Sequence, residues 1–128
     1  FSLMSKELAK TIPDLNAQSN HASEAIVYCH LFGVIGDWYI CGISEDQTIA
    51  FGYMNIHAEK EWEMDNFIQN QRKWGTFSIK KLQELVNENF LKELDIRFLI
   101  VRDVHWQPTP LSSLNIEKGT LNYPGPTN

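Results

Sequence analysis

The chain has 128 residues, of which 43% are hydrophobic and 21% charged, and its formal net charge is −5 at pH 7. A chain of this length and composition is expected to form a single domain that buries about two-thirds of its unfolded surface. The negative charge opposes the phosphate backbone of nucleic acids, which argues against general nucleic-acid binding. No apolar run approaches the roughly 20 residues that span a bilayer, and the first residues lack a secretory signal. We therefore expect a cytoplasmic protein, a prediction that leaves open export by a machine that reads other signals.

The first part of the chain predicts a short helix and a loop. Residues 1–3 precede Met4 and resemble a cloning remnant, so the domain is expected over residues 4–114. Residues 4–11 allow a short amphipathic helix that ends before Pro13. Residues 14–23 are rich in Asn, Ser and Ala, which predicts a loop.

Three segments rich in β-branched and aromatic residues predict an antiparallel meander, namely residues 25–32, 38–43 and 48–54. If the first turn closes through residues 33–37, a symmetric register places Cys29 opposite Cys41. Two buried thiols are the favoured interpretation of this pair, and a strained disulfide and a metal pair are the alternatives. In the third strand the small residues Ala50 and Gly52 fall on the same face, which leaves space there for a closely packed helix or a groove.

The segment from residue 55 to residue 73 interleaves acidic and large apolar side chains. Trp and Met are enriched at the cores of protein interfaces, and charges steer the encounter of two proteins. We therefore predict a partner-binding surface formed by Glu59, Glu61, Trp62, Glu63, Met64 and Phe67. The alternative is a loop whose apolar residues fold back onto the sheet.

A well-marked helix follows. Ser78 is a good N-cap, and Phe77 can form a hydrophobic staple with Leu82. The helical spacing of apolar residues gives a stripe formed by Ile79, Leu82, Leu85 and Val86. A strand over residues 96–101 and a loose tail over 115–128 complete the chain. The fold class is α+β, with an antiparallel sheet of about four strands packed against one main helix, plus the short N-terminal helix.

Polar residues follow the last predicted strand, which must end before Pro108. We interpret Arg102, Asp103, His105 and Trp106 as a structural corner. Hydrogen bonds from Arg102 or Asp103 are expected to hold residues 108–111 against the sheet, with Trp106 capping the core.

Three chemical alternatives use the same residue types. Nucleophilic catalysis by a cysteine would need His105 oriented by Asp103, but both cysteines lie in apolar strands, where thiolates are disfavoured. A metal site would draw on His57, Glu59, Asp103 and His105, which lack the close spacing of metal-binding motifs. No phosphate-binding glycine loop is present. We therefore expect no metal, no cofactor and no enzymatic activity.

One local cluster of positive charge departs from the acidic composition. Four cations fall within ten positions and are candidates for phosphate contact, namely Arg72, Lys73, Lys80 and Lys81. The alternative is an ordinary solvated surface.

Several motifs together resemble a known bacterial family. They are the Trp38-Tyr39 pair, the Phe51-Gly52 pair, the segment from Gly75 to Leu82, and the segment from Arg102 to Pro108 with Leu111. In order and spacing the chain resembles the domain-of-unknown-function family 2958 over residues 12–114. The resemblance implies a protein of plasmids and other mobile elements, and it implies no established activity. Glutamates that the family often carries are replaced here, at Ser44, Lys73 and Val101, which weakens an enzymatic interpretation.

The sequence thus favours a non-enzymatic protein-binding module, an inhibitor or regulator of a partner protein that acts through the residues around Trp62. A nucleic-acid-associated accessory protein of a mobile element is the first alternative, and a metal-dependent hydrolase is the second. The partner is expected to be another protein rather than nucleic acid or membrane, and a homodimer is also compatible with the sequence.

Overall fold

The structure is a computed structural model that describes residues 2–56, 71–91 and 99–114. At residues 22, 71–73 and 89–91 it describes the backbone alone. The elements in chain order are α1 (Lys6–Ala9), β1 (Ile26–Val27), β2 (Cys29–Gly33), β3 (Gly36–Ile43), β4 (Ile49–Ile56), β5 (Gln71–Ser78), α2 (Ile79–Leu91), β6 (Ile100–Arg102) and β7 (Thr109–Pro110).

The fold is α+β, as the sequence predicted. Five antiparallel strands form one sheet in the order β5-β4-β3-β2-β6, and β1 pairs with β7 in a separate two-stranded ribbon. The sheet has one strand more than expected, because β5 occupies residues that the sequence analysis assigned elsewhere. None of the helices in the described ranges is long and apolar enough to cross a membrane.

The main helix begins where the sequence predicted. The Ser78 hydroxyl accepts a hydrogen bond of 2.9 Å from the backbone N–H of Lys81, which satisfies one donor of the first turn. Phe77 and Leu82 belong to the same core cluster, as a hydrophobic staple requires. Ile79, Leu82 and Val86 are buried, and Leu85 is partly buried beside them. The predicted apolar stripe is therefore confirmed.

Strand β5 corrects two predictions. Residues 71–73 were expected in the acidic and apolar segment of residues 55–73, and residues 75–77 directly before the helix, yet all of them pair with β4, from Ile56 opposite Gln71 to Ile49 opposite Ser78. In this pairing Phe77 lies opposite Ala50 and is buried. The sequence was right about the N-cap at Ser78 but gave no sign of the strand before it, because strand pairing is a non-local interaction that helix caps do not report.

The sheet has two different faces. Its helix face packs against α2 and the N-terminal segment and is largely aliphatic, with Cys29, Leu31, Trp38, Ile40, Ala50, Met54 and Ile56 contributed by the strands. Ala50 is buried in the same core as residues of α2, which confirms that the helix packs on the face of β4 with the small side chains. Its ring face carries His30, Phe32, Tyr39, Phe51, Tyr53 and Trp74, and it packs against the β1–β7 ribbon.

The N-terminal segment is part of the helix-face core. Leu3 is fully buried, and its backbone N–H donates a hydrogen bond of 2.7 Å to the side-chain oxygen of Gln83 on α2. Helix α1 is shorter than predicted and is capped by Ser5, whose hydroxyl accepts from Leu8 N–H at 3.1 Å. The exclusion of residues 1–3 from the fold was wrong for Leu3, because its side chain fills space beside α2.

The ribbon packs against the ring face. The expected strand over residues 25–32 is divided into β1 and β2, and residues 109–110, expected in irregular structure, pair with β1. Gln18 fixes this arrangement, because its side-chain amide joins Ile26 to the carbonyl of Cys41 on β3. Leu111 is buried under the ribbon with Val27.

Candidate functional site

The turn between β2 and β3 defines one end of the sheet. It has two residues, Val34 and Ile35, because Gly33 pairs directly with Gly36. Gly36 has a φ of 156°, and a Cβ at this position would collide with the carbonyl oxygen of Asn55 on β4. Only glycine fits this close approach of two strands without a shift of the backbone.

The short turn changes the register predicted from the sequence. Cys29 lies opposite Ile40, not opposite Cys41. A slip of one residue turns every side chain to the other face of the sheet. Cys29 accordingly packs in the helix-face core and Cys41 in the ring-face core.

Both cysteines are free and buried, which confirms the favoured interpretation of two separate thiols. Burial raises the pKa of Cys29 to about 12 and that of Cys41 also to about 12. At neutral pH both thiols are therefore protonated, which disfavours a role as nucleophile.

Three further strand ends meet the turn, and we call this region the hairpin end. Ile56 of β4 pairs with Gly36 and also with Gln71 of β5, and Ile100 of β6 pairs with Gly33. Two large apolar side chains are exposed here, Val34 at 59% and Phe32 at 39%. The hairpin end thus brings apolar surface to the strand ends that flank residues 57–70.

The predicted partner-binding residues lie in that interval, outside the described residues. They are Glu59, Glu61, Trp62, Glu63, Met64 and Phe67, and the metal candidate His57 falls in the same interval. What the structure adds is the position of the two flanking strands, because Ile56 and Gln71 are directly paired. The acidic and aromatic segment therefore connects to the fold at the hairpin end.

A row of aromatic rings crosses the ring face. Trp74, Tyr53, Tyr39 and His30 occupy consecutive register positions on β5, β4, β3 and β2. The His30 and Tyr39 rings are parallel within 3° at a centroid distance of 4.6 Å. The ring of Phe32, two residues further along β2, also stacks on His30, at a centroid distance of 5.2 Å. Such cross-strand ring pairs stabilise a sheet beyond their burial alone.

The row ends in an imidazole–carboxylate pair that the sequence analysis missed. Nε2 of His30 donates to Oδ1 of Asp37 at 2.7 Å, and both side chains keep partial contact with solvent. The sequence signal that could have revealed this pair is the two glycines, Gly33 and Gly36, that flank the two-residue turn. The register that they set makes Phe32 the cross-strand neighbour of Asp37 and brings His30 within reach of Asp37. Asp37 also helps raise the pKa of Tyr39 above its usual range, although burial of the phenol is the larger cause.

Arg102 and Asp103 make contacts, but not the expected ones. The guanidinium of Arg102 donates at 3.1 Å to the carbonyl of Leu3, rather than to residues 108–111. Oδ1 of Asp103 accepts from the backbone N–H of His105 at 3.0 Å, so the imidazole of His105 is not the group that Asp103 binds. His105 is exposed.

Trp106 ties the corner to the ribbon. Its indole N–H donates at 2.9 Å to the carbonyl of Val27, and its ring packs on the ring-face core beside Tyr39 and His30. The backbone N–H of Asp103 donates to the carbonyl of His30 at 3.0 Å. These contacts place the corner over the first residues of β2, which is the end away from the turn.

Strand β5 separates the four candidate phosphate contacts. Arg72 and Lys73 lie near its first residue, whereas Lys80 and Lys81 are exposed at the start of α2 beyond its last residue. The strand between Lys73 and Ser78 spans roughly 17 Å. The cations that are close in sequence are thus two separate pairs along the backbone. Among residues 2–56, 71–91 and 99–114, no group of three or more His, Cys, Asp or Glu side chains is placed to hold a metal.

Comparisons with known proteins return no match: no family model, no curated relative and no solved structure is similar to the chain.

Proposed function

We propose that the chain is a non-enzymatic protein-binding module, an inhibitor or regulator that binds its partner protein through the hairpin end. The observation that carries the proposal is a coincidence of position. The exposed Val34 and Phe32 lie at the same end of the sheet as the paired Ile56 and Gln71, which flank the acidic and aromatic residues of 57–70. Apolar anchors beside steering charges are the anatomy of a protein interface.

The support of the hairpin end suits this role. Ile35, the second turn residue, is fully buried, and Trp38 lies below it in the same core. The exposed Val34 is therefore held in place by its neighbour in the turn, Ile35, whose side chain is packed in the core. A surface held in this way loses little conformational freedom when it binds, which favours affinity.

The setting of this function follows from the sequence. The net charge of −5 favours a partner surface that carries positive charge. The same proposal includes the resemblance to family 2958, which implies a bacterial protein of a mobile element, and the cytoplasmic location expected from the sequence.

The experiment is affinity capture from a lysate of the source organism, with parallel washes at low and high salt. We expect one stoichiometric protein that survives the high-salt wash. The double variant Trp62→Ala/Met64→Ala should then bind this protein at least about 2 kcal/mol more weakly, because interface energy is concentrated in a few large side chains. Its folding is checked by thermal unfolding.

Unchanged affinity of a folded double variant would remove these two residues from the site. Nucleic acid that is released by the high-salt wash, without any bound protein, would replace the proposal by the nucleic-acid alternative.

A further inference from the structure

A small cavity lies away from the hairpin end, between α1 and the corner after β6. Its volume is about 160 Å³, and it opens to solvent. The lining includes the apolar side chains of Leu8, Val104 and Trp106, with the Cys29 thiol and the charged Arg102 and Asp103. An engineered apolar cavity of about 150 Å³ holds a benzene molecule, so this space suits a small ligand.

The two charges that line the cavity are not neutralised by each other. Arg102 and Asp103 are adjacent in sequence, yet no ion pair within 4.0 Å joins them, or joins either one to another of the described residues. The one hydrogen bond of the guanidinium to the described chain is to the carbonyl of Leu3, and the one side-chain bond of Asp103 is to the N–H of His105. Within the described part of the chain, guanidinium donors and a carboxylate oxygen are therefore available to a ligand.

Both charges act on the same point of the cavity. The positive charge of Arg102 lowers the pKa of the Cys29 thiol and the negative charge of Asp103 raises it, while burial remains the largest influence. Cys29 itself lines the cavity. Two opposite charges thus line one small space without forming a direct ion pair with each other.

We propose that this cavity binds a free α-amino acid with an aliphatic side chain, whose carboxylate pairs with Arg102 and whose ammonium pairs with Asp103. An α-amino acid carries its ammonium and its carboxylate on the same carbon atom, so one ligand can neutralise both protein groups at once. Arginine binds carboxylates through two parallel hydrogen bonds, which adds orientation to charge. The aliphatic side chain then packs against Leu8, Val104 and Trp106.

The proposal goes beyond protein binding at the hairpin end and does not depend on it. The five residues of β2 separate the turn from the cavity by roughly 15 Å. Loss of one activity without the other is therefore measurable.

The test compares three molecules of similar shape, which are leucine, 4-methylpentanoate without the ammonium group, and 3-methylbutylamine without the carboxylate. Valine and methionine are added as further amino acids. Binding to the full chain is followed by two-dimensional amide NMR at pH 7. We expect shifts at the backbone amides of Asp103 and Val104 and at the indole of Trp106, with leucine, valine or methionine binding at least about tenfold tighter than either analogue.

Two variants and one control assign the charges. Asp103→Asn keeps an oxygen for the N–H of His105, and it should weaken amino-acid binding at least about tenfold while leaving the affinity for 4-methylpentanoate no lower. Arg102→Gln should weaken both the amino acids and 4-methylpentanoate. Glu45→Gln makes the same change of charge at an exposed turn residue outside the cavity, and it should bind as the natural chain does.

Equal binding of leucine and 4-methylpentanoate would overturn the proposal, because the ammonium would then contribute nothing. The absence of binding by all three amino acids to the folded natural chain would also overturn it. If Arg102→Gln loses stability, Asp103→Asn alone decides the role of the ammonium. None of these outcomes bears on partner capture through the hairpin end.

Discussion

The two faces of the sheet are closed in different ways. The helix face is covered by α2 and the N-terminal segment, and its strand residues Leu31 and Ile40 are completely buried. The ring face is covered by the short β1–β7 ribbon, and towards the turn His30 and Asp37 keep partial solvent contact while Phe32 is exposed. Aliphatic packing thus supplies stability on one side, and the other side leaves aromatic and polar surface next to the hairpin end.

Truncation of the helix-face core should have the largest effect on stability. Leu82 is fully buried between α2 and the sheet, so Leu82→Ala should lower the free energy of unfolding by about 2–5 kcal/mol, through lost burial and the cavity left behind. Phe32→Ala on the ring face is the comparison variant, with a smaller expected loss of about 1 kcal/mol because the Phe32 side chain is 39% exposed. Urea unfolding of both variants checks the difference, and equal losses would contradict the contrast between the faces.

The pKa values of the two thiols report whether the core on each face of the sheet excludes water. Burial raises the pKa of Cys29 and of Cys41 from 9.0 to about 12. Because the unfolded chain releases these protons first, each thiol should contribute stability that is complete below pH 9 and falls by about 1 kcal/mol per pH unit as the pH rises towards 12.

Unfolding measured between pH 8 and pH 11 checks this slope. The double variant Cys29→Ala/Cys41→Ala should be less stable at neutral pH but should lose stability less steeply above pH 9. A single replacement should remove about half of the difference in slope. A slope that the double replacement leaves unchanged would show that the thiols are not closed off from water.

The smallest effect concerns the ribbon that covers the ring face. Trp106→Phe keeps an aromatic ring but removes the indole N–H that binds the Val27 carbonyl, so it should cost about 1–2 kcal/mol. Amide hydrogen exchange should accelerate in β1 and β7 more than in β3. Uniform acceleration over the whole sheet would mean that the bond holds the fold together, rather than the ribbon alone.

Local signals in the sequence predicted local structure well. Ser78 and Phe77 identified the start of α2, because a cap and a staple involve residues a few positions apart. The alternation of large and small residues around Ala50 predicted the face that receives the helix. The fold class followed from these elements.

Features that depend on the pairing of residues distant in the sequence could not be predicted. A turn of two residues instead of five shifted the register by one, which separated Cys29 from Cys41. The pair of His30 and Asp37 depends on the same shift and was missed for that reason. The cavity beside Arg102 depends on contacts with the N-terminal segment, from Leu3 to Leu8, that sequence spacing does not report.

The hairpin end is tested most directly by a matched pair of variants. Val34→Asp places a charge on the exposed turn, and Val104→Asp places the same charge on a residue that is 72% exposed at the far end of β2. We expect Val34→Asp to weaken binding of the captured partner at least about tenfold, and Val104→Asp to change it less than about twofold, with both variants folding normally. Equal affinities of the two variants would contradict the claim that the partner binds at the hairpin end.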